Sequence, residues 1–220
     1  MRIYRRELPH IHLDDKDYTL CYRLAHSLPR VVIQRLKEEF HAACIELPDP
    51  GSKEWSDHHS LIYEQMQSEH LIKYDRYLNQ ALSGPTYLKK PEIAQIIIES
   101  LHFVETQLDY WWIWSYCIMP NHVHLECTLK PGAPDLEMVM KSHKNYTALS
   151  CNKQLNRSGQ FWQHETFDRL IRDEEDFNRR IWYTLENPVK AGLVKHWQDW
   201  PFTYLHPVLR PGYLLDSDSR

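Results

Sequence analysis

Residues 109–129 read Asp109-Tyr-Trp-Trp-Ile-Trp-Ser-Tyr-Cys-Ile-Met-Pro-Asn-His-Val-His-Leu-Glu-Cys-Thr-Leu129, and their pattern decides the fold. Aromatic and β-branched residues dominate 109–118, which predicts a strand. Met119-Pro-Asn is a turn, and residues 122–129 form a second strand, so the pair is a hairpin. Alternate residues of a strand share a face. His122, His124 and Glu126 therefore point one way, and Val123, Leu125, Cys127 and Leu129 the other. One face is apolar and suits a core. The other presents three groups able to bind a metal or move a proton. Two neighbouring imidazoles can hold one divalent cation when their remaining ring nitrogens are tied by surrounding groups. The plainer alternative is a pair of polar residues on a solvent-facing strand.

Outward from the hairpin, residues 18–24 are a strand candidate. Beyond Pro29, Val32, Ile33, Leu36 and Phe40 recur at helical spacing. Residues 47–60 read as a loop, and a long helix over about 60–82 is stopped by Ser83-Gly-Pro. Pro91 opens a helix over 91–106, as proline favours a first helical position. A helix over 135–152 follows the hairpin, then a short strand around 165–171. Asp173 caps a last helix over 174–186, with acids in its first turn. Asn187-Pro188 and Gly192 end it. With residues 30–83 removed, the order is β-α-β-β-α-β plus a final helix. The fold class is α+β: a ferredoxin-like split βαβ antiparallel sheet in one domain over 1–220. It carries a helical insertion at about 30–83 and a C-terminal helical extension at about 173–205. One face of the sheet is expected under helices and the other available.

Composition sets outer bounds. Apolar residues make up 42% and charged residues 25% of the 220, as in ordinary soluble proteins. No apolar run is long enough to span a membrane. The start, Met1-Arg-Ile-Tyr-Arg-Arg, lacks the apolar stretch of a secretory signal. A cytoplasmic location is expected. Five cysteines at 21, 44, 117, 127 and 151 make no C-x-x-C pair, which predicts free thiols. The net charge of −4 argues mildly against nucleic acid, but its distribution matters more. Between Lys141 and Gln160 stand Lys141, Lys144, Lys153 and Arg157 with no acid, and Arg2, Arg5 and Arg6 make the N-terminus basic. Eight Trp and 13 Tyr include rings that could stack on unpaired bases. Solvated charge and aromatic core are the ordinary alternatives.

The helix over 135–152 sets Leu136, Val139, Met140, His143, Tyr146, Thr147 and Ser150 on one broad face, with Lys141 and Lys144 beside it. A phenol with its usual pKa near 10 is a weak nucleophile. A metal on a target phosphate and neighbouring lysines make its attack feasible. An amphipathic tyrosine covering the core edge is the alternative.

Three blocks in order resemble a known group. Met119-Pro-Asn-His-Val-His-Leu125 and Lys141-Ser-His-Lys-Asn-Tyr-Thr-Ala148 resemble the HUH single-strand tyrosine transposases, IS200-like. Gly159 to Phe177, with Tyr183-Thr-Leu-Glu-Asn-Pro-Val-Lys-Ala-Gly-Leu-Val194, is similar to the REP-associated tyrosine transposase branch, as is Tyr22-Arg-Leu-Ala-His-Ser-Leu-Pro29. The resemblance implies a metal-dependent enzyme that nicks and rejoins single-stranded or hairpin DNA at REP-like repeats through a 5′-phosphotyrosine link. It puts Mg²⁺ or Mn²⁺ on His122 and His124 and the nucleophile at Tyr146. The family's third ligand, Gln, Asn or Glu one turn past the tyrosine, falls on Ser150, a short-reaching donor for Mg²⁺. Asn152, Gln154 or Glu126 are substitutes. DNA contacts are expected from Lys141, Lys144, Asn145, Lys153, Arg157, Trp162, Gln163, Arg169 and Arg172. Arg179 and Arg180 are further candidates for phosphate contact. The insertion has no chemistry of its own on this reading and is either a DNA-contacting arm or extra core. A monomer or a homodimer is compatible. Two other readings stand beside this one: a relative that binds hairpins without cutting, and a hydrolase using His122, His124 and Glu126 with water.

Overall fold

The structure is a computed structural model that describes residues 2–5, 9–12, 15–49, 52–80 and 84–211, with side chains from residue 15 onward. Arg6, the side chains of Arg2 and Arg5, and the expected helix stop at Ser83 lie outside the described residues. A two-stranded ribbon of β1 (Arg2–Arg5) and β2 (Pro9–His12) precedes β3 (Asp17–Arg23). Then come α1 (Arg30–Cys44), α2 (Asp57–Gln80), α3 (Pro91–Thr106), β4 (Trp111–Ile118) and β5 (His122–Leu129). The chain continues with α4 (Leu136–Gln154), β6 (Phe167–Leu170), α5 (Glu174–Leu185), the single turn α6 (Asn187–Lys190) and β7 (Thr203–Leu205). No helix among the described residues is long and apolar enough to cross a membrane.

The main sheet has the order β6-β3-β5-β4-β7, antiparallel throughout. Without β7, the order of β6, β3, β5 and β4 is fourth, first, third, second, which is the split βαβ arrangement expected from the sequence. β7 lengthens the sheet beyond β4 and was not signalled by its three residues. The insertion comprises α1 and α2. Its two ends meet where Gly84, at φ +87°, lies against the chain at His26: a Cβ there would stand 2.3 Å from the His26 carbonyl oxygen. Only glycine allows that approach.

The core lies between the sheet and the pair α3 and α4. Tyr18, Leu20 and Tyr22 of β3 and Val123, Leu125 and Cys127 of β5 meet Ile93, Ile97, Leu101, Val139 and Met140. Trp111 is fully buried there, and its indole N–H donates to the Leu101 carbonyl at 3.2 Å, so burial leaves no orphan donor. A bulge in β4 shifts the register between Ile113 and Ser115. Ile113 faces the apolar core while Ser115, two residues on, faces the opposite side, which straight alternation forbids.

That opposite side is not open. The expectation of an available second face is corrected: α2 and α5 cover it, and all eight residues of β5 are buried. The reason is the polarity of α5. Asp176, Arg180, Thr184 and Asn187 recur along one stripe of α5 and α6, and all four are buried. Such a stripe needs polar partners: Glu126 of β5 takes Thr184, Arg169 of β6 takes Asp176, and α2 supplies Ser68 to Arg180 and Asn79 to Asn187.

Asp173 caps α5 as predicted, its carboxylate accepting from the Asp176 N–H at 2.8 Å. Arg169 from β6 donates through Nη2 to both oxygens of Asp176, at 2.8 and 2.7 Å. Burial alone would raise the Asp176 carboxyl. The bond and charge of Arg169 more than offset it and bring the pKa down to about 2. We expect Asp176→Asn to destabilise the fold by roughly 3–5 kcal/mol in urea denaturation, because it strands a buried guanidinium. The folded value lies below the ordinary carboxylate value of about 3.9. The stabilisation is therefore complete above about pH 4 and disappears as pH falls toward 2.

Candidate active site

Register on both sides of β5 assembles the site. His122 lies opposite Arg23, His124 opposite Cys21 and Cys117, and Glu126 opposite Thr19 and Ser115. All of these side chains share the face beneath α2 and α5. His122 and His124 are 0% and 1% exposed, so the solvent-facing alternative does not hold.

The tautomer of His122 follows from its neighbours. Asn121 Nδ2 donates to the Leu78 carbonyl at 3.0 Å, which turns its Oδ1 toward His122 Nδ1 at 2.7 Å. An amide oxygen only accepts, so Nδ1 carries the hydrogen and Nε2 keeps its lone pair. That lone pair faces His124 Nε2 at 3.1 Å. Burial, then the neighbouring His124, pushes the pKa of His122 well below its usual value. Burial, then Lys190 and Arg180, brings His124 down to about 3. Both rings are thus neutral near pH 7, the form in which imidazole binds a metal.

Glu126 shares this face but is committed elsewhere. Its carboxylate accepts from Thr19 Oγ1 at 3.0 Å, Ser115 Oγ at 2.7 Å and Thr184 Oγ1 at 2.8 Å. Burial pushes its pKa up to about 7 against the pull of these hydroxyls. It serves as a buried bolt between β3, β4 and α5.

The tyrosine expected here is not the one present. Tyr146 stands on α4, which packs on the apolar side of the sheet: its neighbour His143 is buried between Tyr22 and Ser100. Tyr146 is 58% exposed, and Ser150 lies one turn along the same helix. Neither is brought to the histidines, and the reason is the strand alternation that separates the two faces. Tyr183 of α5 is brought there. Its hydroxyl donates to Asp75 Oδ2 at 2.5 Å, and its ring is 5.9 Å from that of His124, edge-on. Burial, then the Asp75 charge, raises the Tyr183 phenol above its ordinary value. Four residues on, the buried Asn187 accepts from Asn79 Nδ2 at 3.4 Å. The Tyr183-Thr-Leu-Glu-Asn187 spacing, a tyrosine with an amide one turn later, was the signal that could have found both. α5 ends at Leu185, just before the stop expected at Asn187-Pro188, and Asn187 then opens the single turn α6.

Asp75 belongs to α2, so the insertion places a buried carboxylate beside His124. Its Oδ2 is 3.4 Å from His124 Nε2, and its Oδ1 is 3.9 Å from the Cys21 thiol. Donor atoms of Cys21, Asp75 and His124 lie within 4.8 Å of one another. Burial pushes Asp75 up to about 7 against its bond to Tyr183. The five cysteines are free, as predicted.

The residues expected to contact DNA divide. Lys141, Asn145 and Lys153 are exposed on α4. Lys144 donates to the His164 carbonyl and Thr166, and Arg157 to Asn152. Trp162 is core, its indole bound to Thr147 Oγ1 at 2.9 Å, and Arg169 is spent on Asp176; both expectations of DNA contact are corrected by burial. Arg172 reaches Glu64 at 3.3 Å, Arg179 reaches Asp176 at 3.2 Å, and Arg180 donates to Ser68 at 2.7 Å. The Gln163 side chain is half-buried beside Arg23 at the mouth of a groove.

No protein-family model matches the chain. Among curated proteins, it is 31% identical over 103 residues to the REP-associated tyrosine transposase of Escherichia coli, 46% of this chain and 59% of that protein. A putative REP-associated tyrosine transposase of Haemophilus influenzae is 29% identical over 101 residues, 42% of this chain and 57% of that protein. The matched stretch is thus similar in sequence to REP-associated tyrosine transposases. The chain spans somewhat more than half the length of the curated relatives it matches. A solved REP-associated tyrosine transposase bound to a REP hairpin shares its fold, with a TM-score of 0.51 at 18% identity over 96% of this chain and 87% of that one.

The three hydroxyls on Glu126 make the most direct test of this packing. Glu126→Gln keeps an acceptor for them and should cost little. Glu126→Leu leaves them without one, each stranded group costing about 1–3 kcal/mol. Urea denaturation of both variants should separate them by several kcal/mol.

Proposed function

We propose that the chain cuts and rejoins hairpin-forming single-stranded DNA with Tyr183, not Tyr146, as nucleophile and with a divalent cation, Mg²⁺ or Mn²⁺, on His122 and His124. The observation that carries the reading is the Tyr183 phenol, fixed by Asp75 beside His124, with Asn187 one helical turn on. The donor chemistry suits the cation: two neutral imidazoles, one with its lone pair defined by Asn121, and one turn past Tyr183 the Asn187 amide oxygen, which now accepts from Asn79, in place of Ser150.

The bound cation would act as a Lewis acid on the scissile phosphate. The chain's own residues do the rest. Asn121 fixes the tautomer of His122. Asp75 holds the phenol in one orientation and is the base in place for its proton as Tyr183 Oη bonds to phosphorus. The bond from phosphorus to the upstream 3′ oxygen breaks, and that oxygen takes up a proton, equivalent to the one Asp75 accepted, and leaves as a 3′ hydroxyl. The 5′ phosphate stays on Tyr183, and an incoming 3′ hydroxyl can reverse the step. Tyr183 and both histidines belong to one chain, so a single copy suffices. The exposed Lys141, Asn145 and Lys153 of α4 are proposed to meet backbone phosphates of the hairpin.

The reading of Glu126 with water as a hydrolase loses its support, because three hydroxyls occupy that carboxylate. Hairpin binding without cleavage keeps one observation in its favour, the burial of both histidines beneath α2.

Incubation with hairpin oligonucleotides and Mn²⁺, followed by mass spectrometry, should give an adduct on Tyr183. Tyr183→Phe should abolish it and Tyr146→Phe should not. An adduct on Tyr146 overturns the assignment, and tight hairpin binding with no adduct supports the non-cutting reading. Separately, alanine at Lys141 and Lys153 should weaken hairpin binding and flatten its salt dependence by about one unit of slope per lost phosphate contact, measured by titration at several salt concentrations.

A further inference from the structure

We propose that the helical insertion completes the metal centre: Asp75, carried by α2, is a ligand of the cation held by His122 and His124. The inference rests on the reading of the histidine pair as a metal site and adds the anion, and the element that supplies it.

Charge makes the case first. Two neutral imidazoles and the Asn187 amide give a divalent cation no countercharge, and a buried uncompensated charge is costly. Arg180 and Lys190 both act on His124 and add to the positive field. Glu126 is taken by its three hydroxyls. Asp75 is the carboxylate within reach, 3.4 Å from His124 Nε2. It is itself buried among a phenol, a thiol and an imidazole, none of which carries a fixed positive charge. Lys190 and Arg180 act on Asp75 only through the field, and a cation between Asp75 and the imidazoles would give it a direct positive partner while supplying the cation's countercharge.

Geometry makes the second. Neighbouring ligands of an octahedral cation at about 2.1 Å stand about 3.0 Å apart. The His122 to His124 nitrogens are 3.1 Å apart, and His124 to Asp75 is 3.4 Å. Within 4.8 Å, Asp75 and His124 group with Cys21 and not with His122, so the Asp75 side chain would close on His122 as the ion loads. A hard carboxylate oxygen also suits Mg²⁺ or Mn²⁺ better than the Cys21 thiol beside it. An ionised carboxylate has about four lone-pair positions, so ligation leaves room for the Tyr183 hydroxyl. Metal loading would then tie α2 to the sheet, and the insertion would be part of the active centre.

The test is Mn²⁺ binding to the full chain without DNA, followed by calorimetry and by the loss of the free-ion resonance signal. We expect Asp75→Asn to lower affinity by about tenfold or more, and His122→Ala with His124→Ala to abolish binding. Unchanged or tighter binding by Asp75→Asn, with binding lost in the histidine variant, overturns the role of Asp75 alone. Mn²⁺ binding indifferent to all three residues overturns the histidine site as well. Hydrogen exchange on the unmodified chain guards against a misfolded variant. Mn²⁺ should slow exchange in residues 70–79 of α2, and protection limited to β5 and α5 would overturn the proposal.

Discussion

A sheet face built from Thr19, Cys21, His122, His124 and Glu126 can be buried only if each polar group finds a partner there, and the rest of the molecule depends on meeting that condition. An unsatisfied buried donor or acceptor costs as much as a methyl-sized cavity or more. An apolar helix could not lie on this face. α5 can, because its buried stripe runs Asp176, Arg180, Thr184, Asn187. Thr184 meets Glu126, Arg180 meets Ser68 of α2, and Asn187 meets Asn79 of the same helix. The bulge in β4 belongs to the same constraint, since it turns Ser115 toward Glu126.

The same closure prepares the chemistry. Groups held in a low-dielectric interior interact more strongly than they would in water. The histidines are kept neutral by burial and one of them is oriented by Asn121. The tyrosine is held by a carboxylate from an element that has no part in the basic ferredoxin-like fold. This arrangement has a consequence for access. On the proposed function, a strand of DNA would reach Tyr183 only where α2 yields or leaves a gap, and the insertion would stand where substrate, nucleophile and histidines meet.

Local pattern was a sound guide wherever one face of an element was apolar. The hairpin of β4 and β5, the helix from Pro91 to Thr106 and the Asp173 cap all read directly, because periodicity and capping are properties of neighbouring residues. Pattern misled at α5 and α4. The charges of α5 look like a solvated surface, and Arg169 and Arg180 look like phosphate ligands, until the sheet face that absorbs them is known. On α4, Tyr146 lies among lysines and His143, a setting that suits a nucleophile; only the side of the sheet against which α4 packs removes it from the histidines.

The sequence by itself determined the α+β class, the split βαβ order and the histidines of β5, since strand alternation and turn signals act over a few residues. The tertiary structure decided which tyrosine meets them. Tyr146 and Tyr183 are both helical, both near positive charge, and both lie within the matched blocks. Their difference is the face of the sheet that each helix covers, which is set by the match between a polar helix stripe and a polar strand face over long sequence separations. Asp75 is more than 45 residues from His124 in the chain and 3.4 Å from it in space. No local pattern records that distance, because it comes from the packing of α2 across a sheet that its own residues do not enter.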